Sequence, residues 1–177
     1  MATQTSAVPH RVFRLLTVVW VGSLLTIGYA VAPVLFASLD RMTAGAVAAQ
    51  LFRIEGVLGV ACGVLLLGLA NLLIRRGGEA YRRLRWLIAG MLVCVLLGYF
   101  ALQPFMNALR VAALEAGTDV AHSAYAARFG MLHGVSSVFY LIESLLAIAL
   151  VWKLPGDPIV AVGAQGARGA AGKGAAG

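Results

Sequence analysis

Residues 129–152 read FGMLHGVSSVFYLIESLLAIALVW, and Glu143 is the only formal charge among them. Three further stretches have the same character, at residues 15–39, 56–74 and 86–109, and none of these contains a charged residue. A helix needs about 20 apolar residues to cross a hydrocarbon layer of about 30 Å. Because all four stretches are about this long, the sequence predicts an all-α membrane protein, a bundle of four transmembrane helices.

The composition excludes a water-soluble domain, since 61% of the residues are hydrophobic and 12% are charged, against about 25% charged in a typical soluble domain. We predict a disordered amino terminus at residues 1–9 and a four-helix transmembrane domain at residues 10–153. Its spans are expected at about 12–39, 54–74, 85–105 and 128–152. Residues 105–115 have helical alternation, which predicts a short helix that is interfacial or continues the third span. A disordered tail rich in glycine and alanine is expected at residues 154–177.

The lysines and arginines lie outside the uncharged stretches, and their distribution indicates an orientation. If the amino terminus is cytoplasmic, ten of the fourteen lysines and arginines lie inside and four lie outside, at Arg41, Arg53, Arg110 and Arg128. This asymmetry is the positive-inside rule, so both termini are predicted to be cytoplasmic. Arginine outnumbers lysine twelve to two in a chain rich in alanine and glycine, which favours a multi-pass protein of a bacterial cytoplasmic (inner) membrane.

The net charge of +7 does not indicate nucleic acid binding, because no polar folded surface carries the charge. The predicted partner is the lipid bilayer.

A stripe of polar residues on the fourth span is the strongest candidate site. Its members recur at spacings of three and four residues and therefore share one helical face: His133, Ser136, Ser137, Tyr140, Glu143 and Ser144. Unsatisfied polar groups facing lipid would each cost several kcal/mol, roughly, so the stripe must face other helices or water.

The role of Glu143 has two interpretations. An ionisable group deep in a span is a functional candidate by default, as a proton carrier, cation ligand or counter-ion. The structural alternative is a neutral carboxyl that is hydrogen-bonded to Tyr140 or a serine and joins helices. His133, near the outer end of its span, can approach Glu55 at the start of the second span. That pair would bind a cation or relay protons, or else form an ordinary interfacial hydrogen bond.

Two pairs of glycines are spaced for close helix packing, Gly59 with Gly63 and Gly130 with Gly134. Small residues one turn apart let two helix backbones approach closely. We expect both faces to be packed, either inside the bundle or between the subunits of a homo-oligomer.

A weak internal repeat also occurs. Gly28-Tyr29 followed by Pro33 resembles Gly98-Tyr99 followed by Pro104, with a spacing that differs by one residue. Glu55-Gly56 similarly resembles His133-Gly134. A duplicated helical hairpin would explain these similarities and would place Glu55 and His133 at matching depths.

No known catalytic, nucleotide or metal motif occurs, so no enzyme assignment is made, no cofactor is predicted and any metal ligand is unknown. Cys62 and Cys94 lie near the middle of their spans, where a thiol behaves as a small hydrophobe.

Several short motifs carry a family resemblance: Trp20-Val21-Gly22, Ala32-Pro33-x-Leu35-Phe36, Ala44-Gly45, Leu51-Phe52 and Phe129-x-x-Leu132-His133-x-x-Ser136. With these motifs the chain resembles the transmembrane-protein-205-like family, also called domain of unknown function 4149, over most of residues 12–150. The resemblance implies a four-helix integral membrane protein, in a family whose bacterial members lack an assigned activity. A eukaryotic relative is linked to resistance against a platinum drug.

More remotely, the pattern is similar to copper-resistance-D-like proteins and haem-binding protoporphyrinogen oxidases. In those oxidases a histidine precedes the first-span tryptophan by about two turns, whereas this sequence has Phe13. His10 and His122 lie outside the predicted spans, which does not favour haem held by two histidines.

The leading hypothesis is that the protein contributes to transport or tolerance of a cation or small toxic solute. The alternatives are a haem-associated or redox membrane protein and a non-catalytic scaffold that packs through its glycine faces.

Overall fold

A computed structural model of the chain describes residues 7–155. Within that range four helices are long and apolar enough to cross a membrane. They comprise Val8–Ser38, Arg41–Arg75, Ala80–Glu115 and Ala126–Trp152. The predicted all-α, four-span class is confirmed, while the cytoplasmic placement of the termini stays a prediction.

Two of the long helices contain a π-helical segment. The first consists of α1 (Ala7–Thr26), a π segment (Ile27–Val31) and α2 (Ala32–Ser38). The second is the uninterrupted α3 (Arg41–Arg75). The third consists of α4 (Ala80–Val95), a π segment (Leu96–Ala101) and α5 (Gln103–Glu115), and a short 3-10 turn (Val120–His122) leads to α6 (Ala126–Trp152).

The helices extend beyond the predicted boundaries. Helix α1 extends from Ala7, ahead of the predicted start of the transmembrane domain at residue 10, and it includes Pro9 because proline is tolerated in the first helical turn. The helix predicted at residues 105–115 is confirmed as α5, and it continues the third long helix, which is one of the two arrangements predicted. Pro104 lies in the first turn of α5, where proline is tolerated. The predicted tails fall largely on residues 1–6 and 156–177, which lie outside the described residues.

Tight connections join neighbouring helices. The Asp40 side chain caps α3, with Oδ1 accepting from the backbone N–H of Met42 at 3.1 Å and of Thr43 at 3.0 Å. Gly77 (φ 89°) and Gly117 (φ 72°) end α3 and α5 in the left-handed conformation that glycine adopts without strain. Consecutive helices therefore run antiparallel, and contacts between α1 and α6 close the bundle.

The two ends of the bundle differ in charge. We call the end that contains the start of α1, the turn at residues 76–79 and Lys153 the basic end, and the opposite end, with its turn at Asp40, the Asp40 end. Most of the cations lie at the basic end: Arg11, Arg14, Arg75, Arg76, Arg82, Arg83, Arg85 and Lys153.

The packed core occupies the half nearer the basic end. Side chains from all four long helices interlock there with almost no exposed surface, among them Phe13, Trp20, Leu66, Leu84, Ile88, Met91, Ala147 and Leu150. Trp20 lies in the space left by Gly59 and Gly63, where an added Cβ would come within 2.9 Å and 3.1 Å of its ring. This glycine pair is therefore buried within the chain.

The other glycine pair is different. Gly130 and Gly134 are exposed, and a Cβ at either position would have no neighbour within 4 Å among the described residues. Packing of this face against a second copy stays a prediction.

Candidate functional site

A cavity of about 1000 Å³ occupies the half of the bundle nearer the Asp40 end. All four long helices line it. It extends from Arg41 and Asp119 at the Asp40 end to Leu24 and Glu143 near the middle of the bundle. We call the middle of the bundle the floor of this cavity and the Asp40 end its rim.

Two buried carboxyls lie at the floor. Glu55 on α3 and Glu143 on α6 are each 4% exposed, and both line the cavity. Glu55 follows Arg41 by fourteen residues, so about 21 Å of helix separates the floor from the rim.

One oxygen of each carboxyl has no protein partner. The Ser23 hydroxyl donates to Glu55 Oε1 at 3.2 Å. Glu55 Oε2 and Glu143 Oε1 are buried and have no hydrogen-bond partner among the described residues. Buried polar atoms in proteins are nearly always paired, and each exception needs an explanation. Here the unpaired oxygens belong to side chains that line a cavity large enough for a ligand.

Tyr140 joins the floor to the first helix. Its hydroxyl donates to the backbone carbonyl of Leu24 and lies beside Gly28, whose backbone N–H is the α-helical partner of that carbonyl. In an α-helix these two backbone groups would bond to each other, since they are four residues apart. The hydroxyl is thus inserted into the backbone ladder of the first helix at the start of its π segment, a recognised cause of local helix distortion.

Gly28 makes this insertion possible, because a Cβ there would collide with the Tyr140 ring. A comparable close approach joins α3 to the third long helix. There a Cβ on Gly56 would lie 2.7 Å from the ring of Tyr99, which belongs to the other π segment. The Gly-Tyr pairs of the sequence repeat, at 28–29 and 98–99, therefore both lie in π segments.

Three further residues of the polar stripe lie along the α6 wall of the cavity, whereas Ser144 is buried outside the lining and donates to the Tyr140 carbonyl at 2.8 Å. Ser136, Ser137 and His133 line it. The Ser137 hydroxyl donates to the carbonyl of His133 at 2.8 Å, and the His133 ring stacks on Phe129 with centroids 6.1 Å apart. Among the described residues, no hydrogen bond or ion pair joins His133 to Glu55, whose bonding partner is Ser23. Their pairing stays a prediction.

The histidines do not form a pair suited to haem. His10 is hydrogen-bonded to the Tyr81 hydroxyl at 2.7 Å near the basic end. His122 Nδ1 lies 3.4 Å from Asp119 Oδ2 at the Asp40 end. His133 is on the cavity wall, so the three imidazoles of the described chain lie in separate places. Axial ligation by two histidines does not fit this arrangement.

A multidentate metal site is also not formed. Within residues 7–155, no three histidine, cysteine, aspartate or glutamate side chains come together in a way that could hold a metal ion. Cys62 and Cys94 are separate, buried free thiols.

Two residues next to the floor, Ser23 and Trp20, were not among the predicted site residues. Ser23 bonds to Glu55 across 32 residues. Trp20 directs its buried Nε1, which has no partner among the described residues, toward Gly59, one turn from Glu55. The signal available was the three-residue spacing of Trp20 and Ser23, which places them on one face of α1.

Comparison with known families identifies the chain. Residues 15–115, more than half of the sequence, match the profile of the domain of unknown function (DUF4149). The chain belongs to this family. The DUF4149 match covers most of the first long helix and the whole of the second and third, including Glu55. It ends before α6, which carries Tyr140 and Glu143. No curated protein and no solved structure matches the chain.

Proposed function

We propose that this DUF4149 protein binds a cation or small toxic solute in the cavity between its helices and contributes to its transport or to tolerance of it. The observation that carries the proposal is the pair of buried carboxyls at the cavity floor, Glu55 and Glu143, each with an unpaired oxygen. Ionisable groups deep in membrane spans are rare, costly and associated with ion or solute pathways.

The extent of the cavity supports a path from the Asp40 end to the middle of the bundle. Its rim lies at the Asp40 end and its floor lies near the middle of the bundle, whereas the half beyond the floor is filled by packed side chains. Solute that enters from the rim therefore reaches the carboxyls and stops there. Transport would require a second arrangement of the helices that opens the basic end, as in alternating-access proteins.

We place the protein in a bacterial inner membrane with both termini cytoplasmic, and with the transmembrane-protein-205-like members of the family. The support is the cation asymmetry and the motifs around Trp20, Pro33 and His133. In intact cells, an impermeant thiol reagent should label Ala124→Cys, and it should label Glu79→Cys only after lysis. The reverse pattern would contradict the orientation.

The proposed function is tested by flux into vesicles that contain the purified full chain. Uptake of potassium, magnesium and tetraphenylphosphonium is compared with uptake into protein-free vesicles. We expect flux of at least one of these cations, and we expect Glu143→Gln to abolish it because an amide cannot carry the balancing charge.

A matched control is available in Glu115→Gln. It removes the same charge from an exposed carboxyl at the Asp40 end that does not line the cavity, so flux should be retained. Flux that survives both Glu143→Gln and His133→Ala, or no flux of any cation, would overturn the proposed function.

A further inference from the structure

We infer, resting on the proposed function, that the cavity takes a bulky aromatic organic cation with one positive charge, and not an inorganic metal ion. Four observations lead to this: the size of the cavity, the chemistry of its walls, the number of carboxyls at its floor and the placement of its arginines.

The size of the cavity fits a drug-sized molecule. Small-molecule sites are clefts of about 300–1,000 Å³, and this cavity has a volume of about 1000 Å³. A divalent metal ion instead needs several oxygen or nitrogen ligands at about 2.0–2.6 Å. Among residues 7–155 no such cluster of three ligating side chains exists.

The walls of the cavity are aromatic. Six phenylalanine and tyrosine rings line it, from all four long helices: Tyr29, Phe36, Phe52, Tyr99, Phe129 and Tyr140. Phe52 meets Tyr140 edge to face, with centroids 5.4 Å apart, directly above the floor. Aromatic faces bind organic cations through their π electrons and also bury apolar bulk, whereas they offer no ligand to a hydrated metal ion.

The charges are graded along the cavity. Two carboxyls, Glu55 and Glu143, lie at the floor, whereas toward the rim the two cations Arg41 and Arg110 outnumber the single carboxylate of Asp119. About 21 Å of helix separates Arg41 from Glu55. The positive end of a ligand is therefore favoured at the floor and disfavoured at the rim. A single positive charge neutralises one carboxylate, and the other carboxyl can remain protonated, so no net charge stays buried.

Equilibrium dialysis tests the inference with the full chain in detergent or nanodiscs. The probe is tetraphenylphosphonium, and the control ligand is tetraphenylborate, which has the same shape and the opposite charge. We expect saturable binding of the phosphonium at one per chain, no saturable binding of the borate, and no displacement by excess magnesium or potassium.

Variants locate the binding. Glu55→Gln and Glu143→Gln should each weaken phosphonium binding at least tenfold, and the double variant should abolish saturable binding, while Glu115→Gln leaves it unchanged. If a glutamine variant does not fold, Phe52→Leu keeps the apolar bulk and removes the π face. It should weaken binding by about three- to thirty-fold.

The outcomes separate this inference from the proposed function. Flux or binding of potassium or magnesium, lost in Glu143→Gln and without saturable phosphonium binding, would overturn the inference and leave the proposed function standing. Saturable borate binding, or phosphonium binding that survives both the double glutamine variant and Phe52→Leu, would overturn the inference as well. Absence of every cation from both assays would overturn the proposed function and the inference together.

Discussion

The two halves of the bundle are built from the same four helices and the same kind of apolar sequence, yet one is filled and the other is hollow. In the half nearer the basic end, Trp20 fills the space beside Gly59 and Gly63 and leaves no room for a ligand. In the half nearer the Asp40 end, Gly45 on α3 and Gly130 on α6 line the cavity, and a Cβ at either position would have no neighbour within 4 Å among the described residues.

The comparison shows that small residues have two opposite uses in a membrane bundle. Since lipid is as apolar as the helix surfaces, helices associate through close van der Waals contact, and a glycine is favourable where a neighbour occupies its space. Gly63 has such a neighbour in Trp20, whereas Gly130, which lines the cavity, has none within the described chain. A small residue without such a neighbour leaves room for a ligand, but the helices then lose van der Waals contact at that position.

The greatest loss of stability is expected when the side chain of Trp20 is removed from the packed half of the bundle. Trp20 is fully buried, so Trp20→Ala should lower the free energy of unfolding by about 3–5 kcal/mol. Tyr29→Ala removes an aromatic ring from the cavity wall, where the side chain is half exposed, and should cost less than about 1 kcal/mol. Unfolding in mixed detergent micelles measures both. Equal losses would show that the two halves do not differ in packing.

The two glycine pairs should respond to the same substitution with opposite changes in the free energy of unfolding. A Cβ on Gly63 would lie 2.7 Å from Leu92 Cδ1 and 3.1 Å from the Trp20 ring, so Gly63→Ala should destabilise by about 1–3 kcal/mol. Gly134 has open space around it, and alanine is the better helix former. Gly134→Ala should therefore be neutral or stabilise by up to about 1 kcal/mol.

Oligomeric state gives the glycine experiment a second readout. If Gly130 and Gly134 pack against another copy of the chain, Gly134→Leu should dissociate an oligomer while leaving the monomer folded. A single monomeric species for both the original chain and the variant would contradict that packing.

Tyr140 lies where the two halves meet. Removal of its hydroxyl should lower the free energy of unfolding by an intermediate amount. Tyr140→Phe removes the bond to the Leu24 carbonyl and should cost about 1 kcal/mol. The freed carbonyl can then bond to the Gly28 amide, so we expect the π segment to relax toward α-helix. Cα chemical shifts of Gly28 and Tyr29 measure this, with Tyr29→Phe as the control. Unchanged shifts would contradict a role for the hydroxyl in the π segment.

The spans and the polar stripe on α6 were predictable because both depend on local periodicity. Uncharged runs of sufficient length identified the helices, and three- and four-residue spacing placed Tyr140 and Glu143 on one face. The cavity was not predictable in this way, because empty space results from which side chains meet across the bundle. The bond from Tyr140 to Leu24 spans 116 residues, and no local pattern encodes such a contact.

Loss of the Asp40 cap at the rim should change stability least, because this cap is solvent-exposed. Hydrogen bonds from the side chain and backbone N–H of Thr43 hold the pKa of Asp40 below its usual range. A lowered folded-state pKa means that the cap contributes its full stability above the unfolded value of about 3.9 and loses it as the pH falls through the folded value. The backbone amide of Thr43 should therefore titrate by NMR with a midpoint below about 3.9. Asp40→Asn keeps an oxygen acceptor but cannot ionise there, so its Thr43 amide should not titrate. A midpoint at or above the ordinary value in the original chain would show that the carboxylate does not cap α3.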